Sequence, residues 1–157
     1  MIDIKHNHEL QKQIVESIYF ILLDCKEGLW DSLDVRRAHL KGKRLDKKPK
    51  MFKGPYLVKI GRNTESQNLF TRNKSYRSLT TLPNSMDPAF DEKLLEHECF
   101  DFTGKGTEYI KQLEKDLKKY VDSKYKPQRY TTSEYYELNN LQEVEEFKQH
   151  LYDFFQK

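Results

Sequence analysis

Residues 17–25 read SIYFILLDC, a near-continuous apolar run of strand length. It is rich in residues that favour extended backbone, so it is expected as a central strand. Three further segments extend the pattern. YLVKIGR at 56–62 reads as a second strand, with Gly61 as its end. KLLEHECFDF at 93–102 reads as a third, and SEYYEL at 133–138 as a short extended piece.

Helical periodicity fills the intervals. HELQKQIVE at 8–16 places Leu10 and Ile14 on one face. ESQNLFTRNKSYRSL at 65–79 is expected as a helix, and TTLPNSMDPAF at 80–90 as a loop. GTEYIKQLEKDLKKYV at 106–121 aligns Ile110, Leu113, Leu117 and Val121. The closing helix at 140–155 aligns Leu141, Val144, Phe147, Leu151 and Phe154, and Asn140 with Glu143 resembles a capping box. Strands with helices gathered on them, without regular βαβ alternation, predict an α+β domain around a small central antiparallel sheet flanked by helices. The layout is a single domain over 1–157. It has an N-terminal helical extension at 1–16, a core at 17–138 with a basic insertion at 26–54, and a C-terminal helix at 139–157. Within the insertion, LWDSLDVRRAHL at 29–40 can form a helix.

The chain is very polar, with 34% charged residues and a mean hydropathy of -0.93. Ten tyrosines and nine phenylalanines supply enough apolar bulk to build a core. No apolar run approaches the roughly 20 residues that span a bilayer, and the start lacks a secretory signal. Cys25 and Cys99 form no disulfide framework and no zinc spacing. The expected location is an intracellular, reducing compartment.

Net charge is only +3, yet residues 41–53 hold seven basic residues against one acidic. Lys41, Lys43, Arg44, Lys47, Lys48, Lys50 and Lys53 suit a polyanion, nucleic acid before an anionic membrane surface. A solvated charged loop is the plainer reading. Trp30, in the same insertion, fits a core anchor or a base-stacking residue.

Five positions outside the insertion have side chains that could carry chemistry. Lys59 interrupts an apolar strand, so it either faces solvent or has a partner. If the first two strands pair, Tyr19 and Lys59 can point the same way. Arg72 and Tyr76 are four residues apart, one turn on a helix, and together can grip a phosphate and orient a water. Glu114 lies about 40° from Ile110 and about 20° from Val121 on a helical wheel, at the border of the buried stripe. A carboxylate there is costly unless paired or metal-bound. It fits Mg²⁺, or a salt bridge to Arg72, Lys111 or Lys118. The literal HNH at residues 6–8 does not make the nuclease motif of that name, whose residues are spread over tens of positions. His97 and Cys99 read as strand residues.

In this order the residues resemble the GIY-YIG nuclease superfamily. SIY stands where the family has Gly-Ile-Tyr, and KIG, residues 59–61, where it has Tyr-Ile-Gly. RNKSY supplies Arg72 and Tyr76 at the spacing of the branch that includes type II restriction endonucleases and phage or large-virus domains. QLEKDL supplies Glu114 where the family has its metal-binding glutamate. SEYYEL is similar to a segment of the same branch.

The resemblance implies metal-assisted hydrolysis of a phosphodiester, DNA before RNA. Glu114 would hold one Mg²⁺ or Mn²⁺, and Arg72 would offset phosphate charge. Tyr19 would act as base or position the water with Lys59 close by, and Tyr76 would orient the water or the phosphate. The basic insertion would contact the nucleic-acid backbone, with Arg62, Lys74 and Arg77 as further candidate contacts. Removing Glu114 would abolish cleavage and spare binding. Tyr19, Lys59, Arg72, Tyr76 and Glu114 would converge in one cleft, and a Glu114 that points away from Tyr19 and Lys59 would end this reading of the site. Double-strand cutting would suggest a homodimer. The alternatives are a catalytically weak or inactive DNA- or RNA-binding accessory protein on the same scaffold, and a protein-interaction domain using the acidic C-terminal helix.

Overall fold

The run at 17–25 becomes β2 (Ser17–Asp24), the middle strand of a five-stranded antiparallel sheet. The computed structural model describes residues 1–26, 29–30, 51–52, 55–64, 68–70, 94–129 and 135–156. The sheet order is β1 (Ile2–Asp3), β6 (Leu94–Asp101), β2, β5 (Tyr56–Asn63), β7 (Tyr135–Leu138). Every pairing in it is antiparallel. Two short strands, β3 (Leu29–Trp30) and β4 (Met51–Phe52), pair with each other at the two ends of the basic insertion. Among the described residues the named helices are α1 (His8–Gln13), α2 (Thr107–Tyr125) and α3 (Leu141–Phe155), with a 3₁₀ turn at Lys126–Gln128. The fold is α+β.

β2 does not alternate because both of its faces are covered. Ile18, Phe20 and Leu22 share one face with Tyr56, Val58 and Ile60 of β5. Against this face pack Ile110, Leu117 and Val121 of α2 and Val144, Phe147 and Leu151 of α3. The opposite face carries Tyr19, Ile21, Leu23 and Leu57, packed with Ile4, Ile14, Leu69 and Leu94. We call these the helical face and the far face.

α2 begins after a turn in which Gly104 and Gly106 take φ of 97° and 95°, a region that disfavours residues with a β-carbon. The buried Glu16 steadies this turn, its Oε1 accepting a hydrogen bond from the Gly104 amide at 2.9 Å. α3 begins at Asn140, whose Oδ1 accepts from the Glu143 amide at 2.8 Å. Glu143 reaches back to the Asn139 amide at 3.2 Å, so the capping pair at 140 and 143 forms with a one-residue offset. Asn140→Ala is expected to cost about 1 kcal/mol in urea unfolding. An unchanged midpoint would mean that the Glu143 amide finds another acceptor.

Several expectations need correction. Gly61 does not end β5, which runs on to Asn63; the glycine sits inside the strand. Leu141 is 55% exposed, because at the helical period it lies about 60° from Val144 and about 120° from Phe147, off the buried stripe. The N-terminal extension is not only helical: α1 is six residues long, and Ile2–Asp3 pair with Cys99 and Glu98 at the sheet edge. Leu29–Trp30 are strand, so a helix cannot begin there. Of the expected helix at 65–79, Asn68 is not helical, Leu69 and Phe70 are, and 65–67 and 71–79 lie outside the described residues.

Candidate functional site

Tyr19 and Lys59 lie on the same face of the sheet. β2 and β5 pair so that Tyr19 faces Gly61 and Ile21 faces Lys59, which puts both side chains on the far face. Tyr19 is 1% exposed, its ring lying over Gly61 and edge-on to His97 at 6.3 Å between centroids. A β-carbon at Gly61 would stand 2.8 Å from Tyr19 Cε2 and nearer still to Cζ and Oη. Lys59 is 6% exposed, with its Nζ 5.2 Å from the centroid of Tyr135. The lysine therefore does not simply face solvent; it sits against an aromatic face that favours its charge.

Glu114 is on the other side of the sheet, so the expected convergence of Tyr19, Lys59 and Glu114 in one cleft does not occur. It is buried on α2, whose apolar stripe covers the helical face. Its Oε1 accepts from Arg62 Nη1 at 2.5 Å, and Lys118 Nζ lies 3.3 Å from the same oxygen. Arg62 follows Ile60 on the helical face by strand alternation and pairs with Ile18 across β2. The expected salt-bridge partners of Glu114 were Arg72, Lys111 and Lys118. Of these the structure shows Lys118, and it adds Arg62. The signal for Arg62 was available: it shares the parity of Val58 and Ile60, and Glu114 borders a stripe that must cover one face of that strand.

The surroundings of Glu114 do not fit a divalent cation. A guanidinium and an ammonium already share one carboxylate oxygen, and a metal ion brought there would meet their charges at short range. Among the described residues no group of three or more His, Cys, Asp or Glu side chains is placed to hold a metal. Arg72, Tyr76, Lys74 and Arg77 lie outside the described residues, as do Lys41, Lys43, Arg44, Lys47, Lys48, Lys50 and Lys53. The side chain of Trp30 is likewise not described.

Other ionisable groups have structural partners. Burial pushes the Cys99 thiol up to about 12, with the Asp101 charge adding to the shift, which leaves it a poor nucleophile. Lys148 of α3 reaches Glu96 at 3.0 Å and Glu98 at 3.3 Å on the helical face. Burial opposes its charge, but the hydrogen bonds and charges of those two glutamates outweigh it and hold the ammonium above its ordinary value. A groove of about 490 Å³ opens beside β1. Met1, Phe100, Phe102, Tyr152 and Phe155 are among its lining residues, and none of the candidate site residues is. No helix among the described residues is long and apolar enough to cross a membrane. Comparison of the chain with protein-family models, with curated proteins and with solved structures finds no match.

Proposed function

We propose that the chain binds nucleic acid by its phosphates, on a scaffold of the GIY-YIG type, with Glu114 as an ion-pair partner and not a metal ligand. The observation that carries this reading is Arg62. One edge of its guanidinium is held by a buried carboxylate, while 38% of its side chain stays exposed at the flank of α2. A guanidinium fixed in this way keeps free donors in a rigid fork suited to phosphate oxygens. The basic insertion at 41–53 supports the same partner. The scaffold part rests on the pairing of the SIY strand with the KIG strand, Tyr19 opposite Gly61.

Phosphate contacts give affinity and salt dependence without sequence information. A gel shift with duplex DNA at two salt concentrations, run beside a plasmid nicking assay with and without Mg²⁺, tests the reading. Retardation should weaken steeply as salt rises, and any Mg²⁺-dependent nicking should persist in Glu114→Ala at saturating protein. Salt-independent or absent binding would remove the reading. Loss of Mg²⁺-dependent nicking in Glu114→Ala would return Glu114 to the metal.

A second reading is a phosphodiesterase site on the far face, which would use Tyr19 and Lys59 with Arg72 and Tyr76. One observation favours it: Leu69, three residues before Arg72, packs into the same cluster as Tyr19. It predicts nicking that Lys59→Ala abolishes.

A further inference from the structure

Charge divides the helical layer in two. Residues 105–129, which include α2, hold eight basic residues against four acidic. Residues 141–156, which include α3, hold one lysine against four carboxylates. That one lysine, Lys148, is engaged by Glu96 and Glu98. A polyanion is thus attracted to the α2 side of the layer and repelled from the α3 side.

On α2 the basic residues are not evenly spread. Lys111, Lys115 and Lys118 fall within an arc of about 60° at the helical period. Lys111 and Lys115 are exposed, and Lys118 meets Arg62 at the Glu114 carboxylate, so the arc lies on the Arg62 flank. From Lys111 to Lys118 the helix rises about 10 Å. Phosphates of one strand of duplex DNA advance about 3.4 Å each along the axis, so the arc spans about three of them.

We propose that Arg62, Lys111, Lys115 and Lys118 form a ridge that tracks the phosphates of one strand of duplex DNA, and that Glu114 beneath it limits its strength. The inference rests on the nucleic-acid-binding reading above. Glu114 orients Arg62 and Lys118 but also neutralises one of their two charges. A glutamine in its place keeps a carbonyl to accept the Arg62 hydrogen bond and removes the opposing charge.

The test is fluorescence anisotropy of a labelled duplex of arbitrary sequence, titrated with the full chain over a series of salt concentrations. Four proteins are compared: the natural chain, Lys111→Ala/Lys115→Ala, Glu114→Gln, and Lys124→Ala as a control on a different side of α2. Thermal melts verify folding. The double variant should reduce the slope of log affinity against log salt by about 2, and weaken binding by tens of fold near 0.1 M salt. Lys124→Ala should leave the slope unchanged. Glu114→Gln should bind several-fold tighter, with a steeper slope.

If the natural chain binds and the double variant behaves like Lys124→Ala, the ridge is refuted while nucleic-acid binding stands. If the natural chain shows no salt-dependent binding, both fall. A folded Glu114→Gln that binds more weakly overturns the limiting role of Glu114. Should Glu114→Gln fail to fold, the lysine double variant alone decides the ridge.

Discussion

Phe147→Ala should lower the stability of this protein by about 3–5 kcal/mol, the range for removing a fully buried phenylalanine. Phe147 is 0% exposed and joins the sheet to both long helices. Its ring centroid lies 5.0 Å from that of Tyr125 on α2, 5.5 Å from Tyr136 on β7 and 6.1 Å from Phe20 on β2. Alanine leaves a cavity bounded by three rings, and rings held on three different elements cannot all close in to fill it. For a chain of this length the loss corresponds to a melting temperature lower by on the order of 10 °C. Leu141→Ala on the same helix is the control, because an exposed side chain should cost within about 0.5 kcal/mol. Equal, small losses for both would mean that α3 is not docked on the sheet by this residue.

Gly61→Ala is the second large effect, and here the atom is added rather than removed. The new β-carbon would overlap the buried Tyr19 ring. That ring is wedged among His97, Cys99 and neighbouring far-face residues, so it has little room to move away. Overpacking of this kind costs about 1–3 kcal/mol or more. The cause can be isolated with a double-mutant cycle. In a Tyr19→Ala background the same Gly61→Ala change should be nearly neutral, because the ring that forbids the β-carbon is gone. An equal cost in both backgrounds would refute the steric account and point to backbone effects of losing glycine.

Much of the architecture was legible in the chain, because it depends on local pattern. The apolar run at 17–25 had the length and composition of a strand and took the central place expected of it. The stripe of Ile110, Leu117 and Val121 did form the buried side of a helix. The border position of Glu114 foretold a buried, paired carboxylate, and the lysine one turn on was among the partners named for it. Where local pattern misled, a distant contact was responsible. Gly61 looked like a strand end because glycine usually weakens strands. It stays inside β5 because the ring of Tyr19, far away in sequence, occupies the space of a side chain.

The candidate site divides along the same line. The register that pairs Tyr19 with Gly61 decides that Tyr19 shares a face with Lys59, whereas strand alternation alone puts Arg62 on the reverse face from Lys59. The sequence could determine the second of these, because the period of a strand is a property of its backbone. Which face α2 covers was decided only by the tertiary structure. β2 is apolar on both sides, so its own sequence does not say which face a helix covers. By packing against Ile18, Phe20 and Ile60, α2 carries Glu114 to Arg62 and away from Tyr19 and Lys59. A constellation continuous in sequence order is thereby split across the two sides of one sheet.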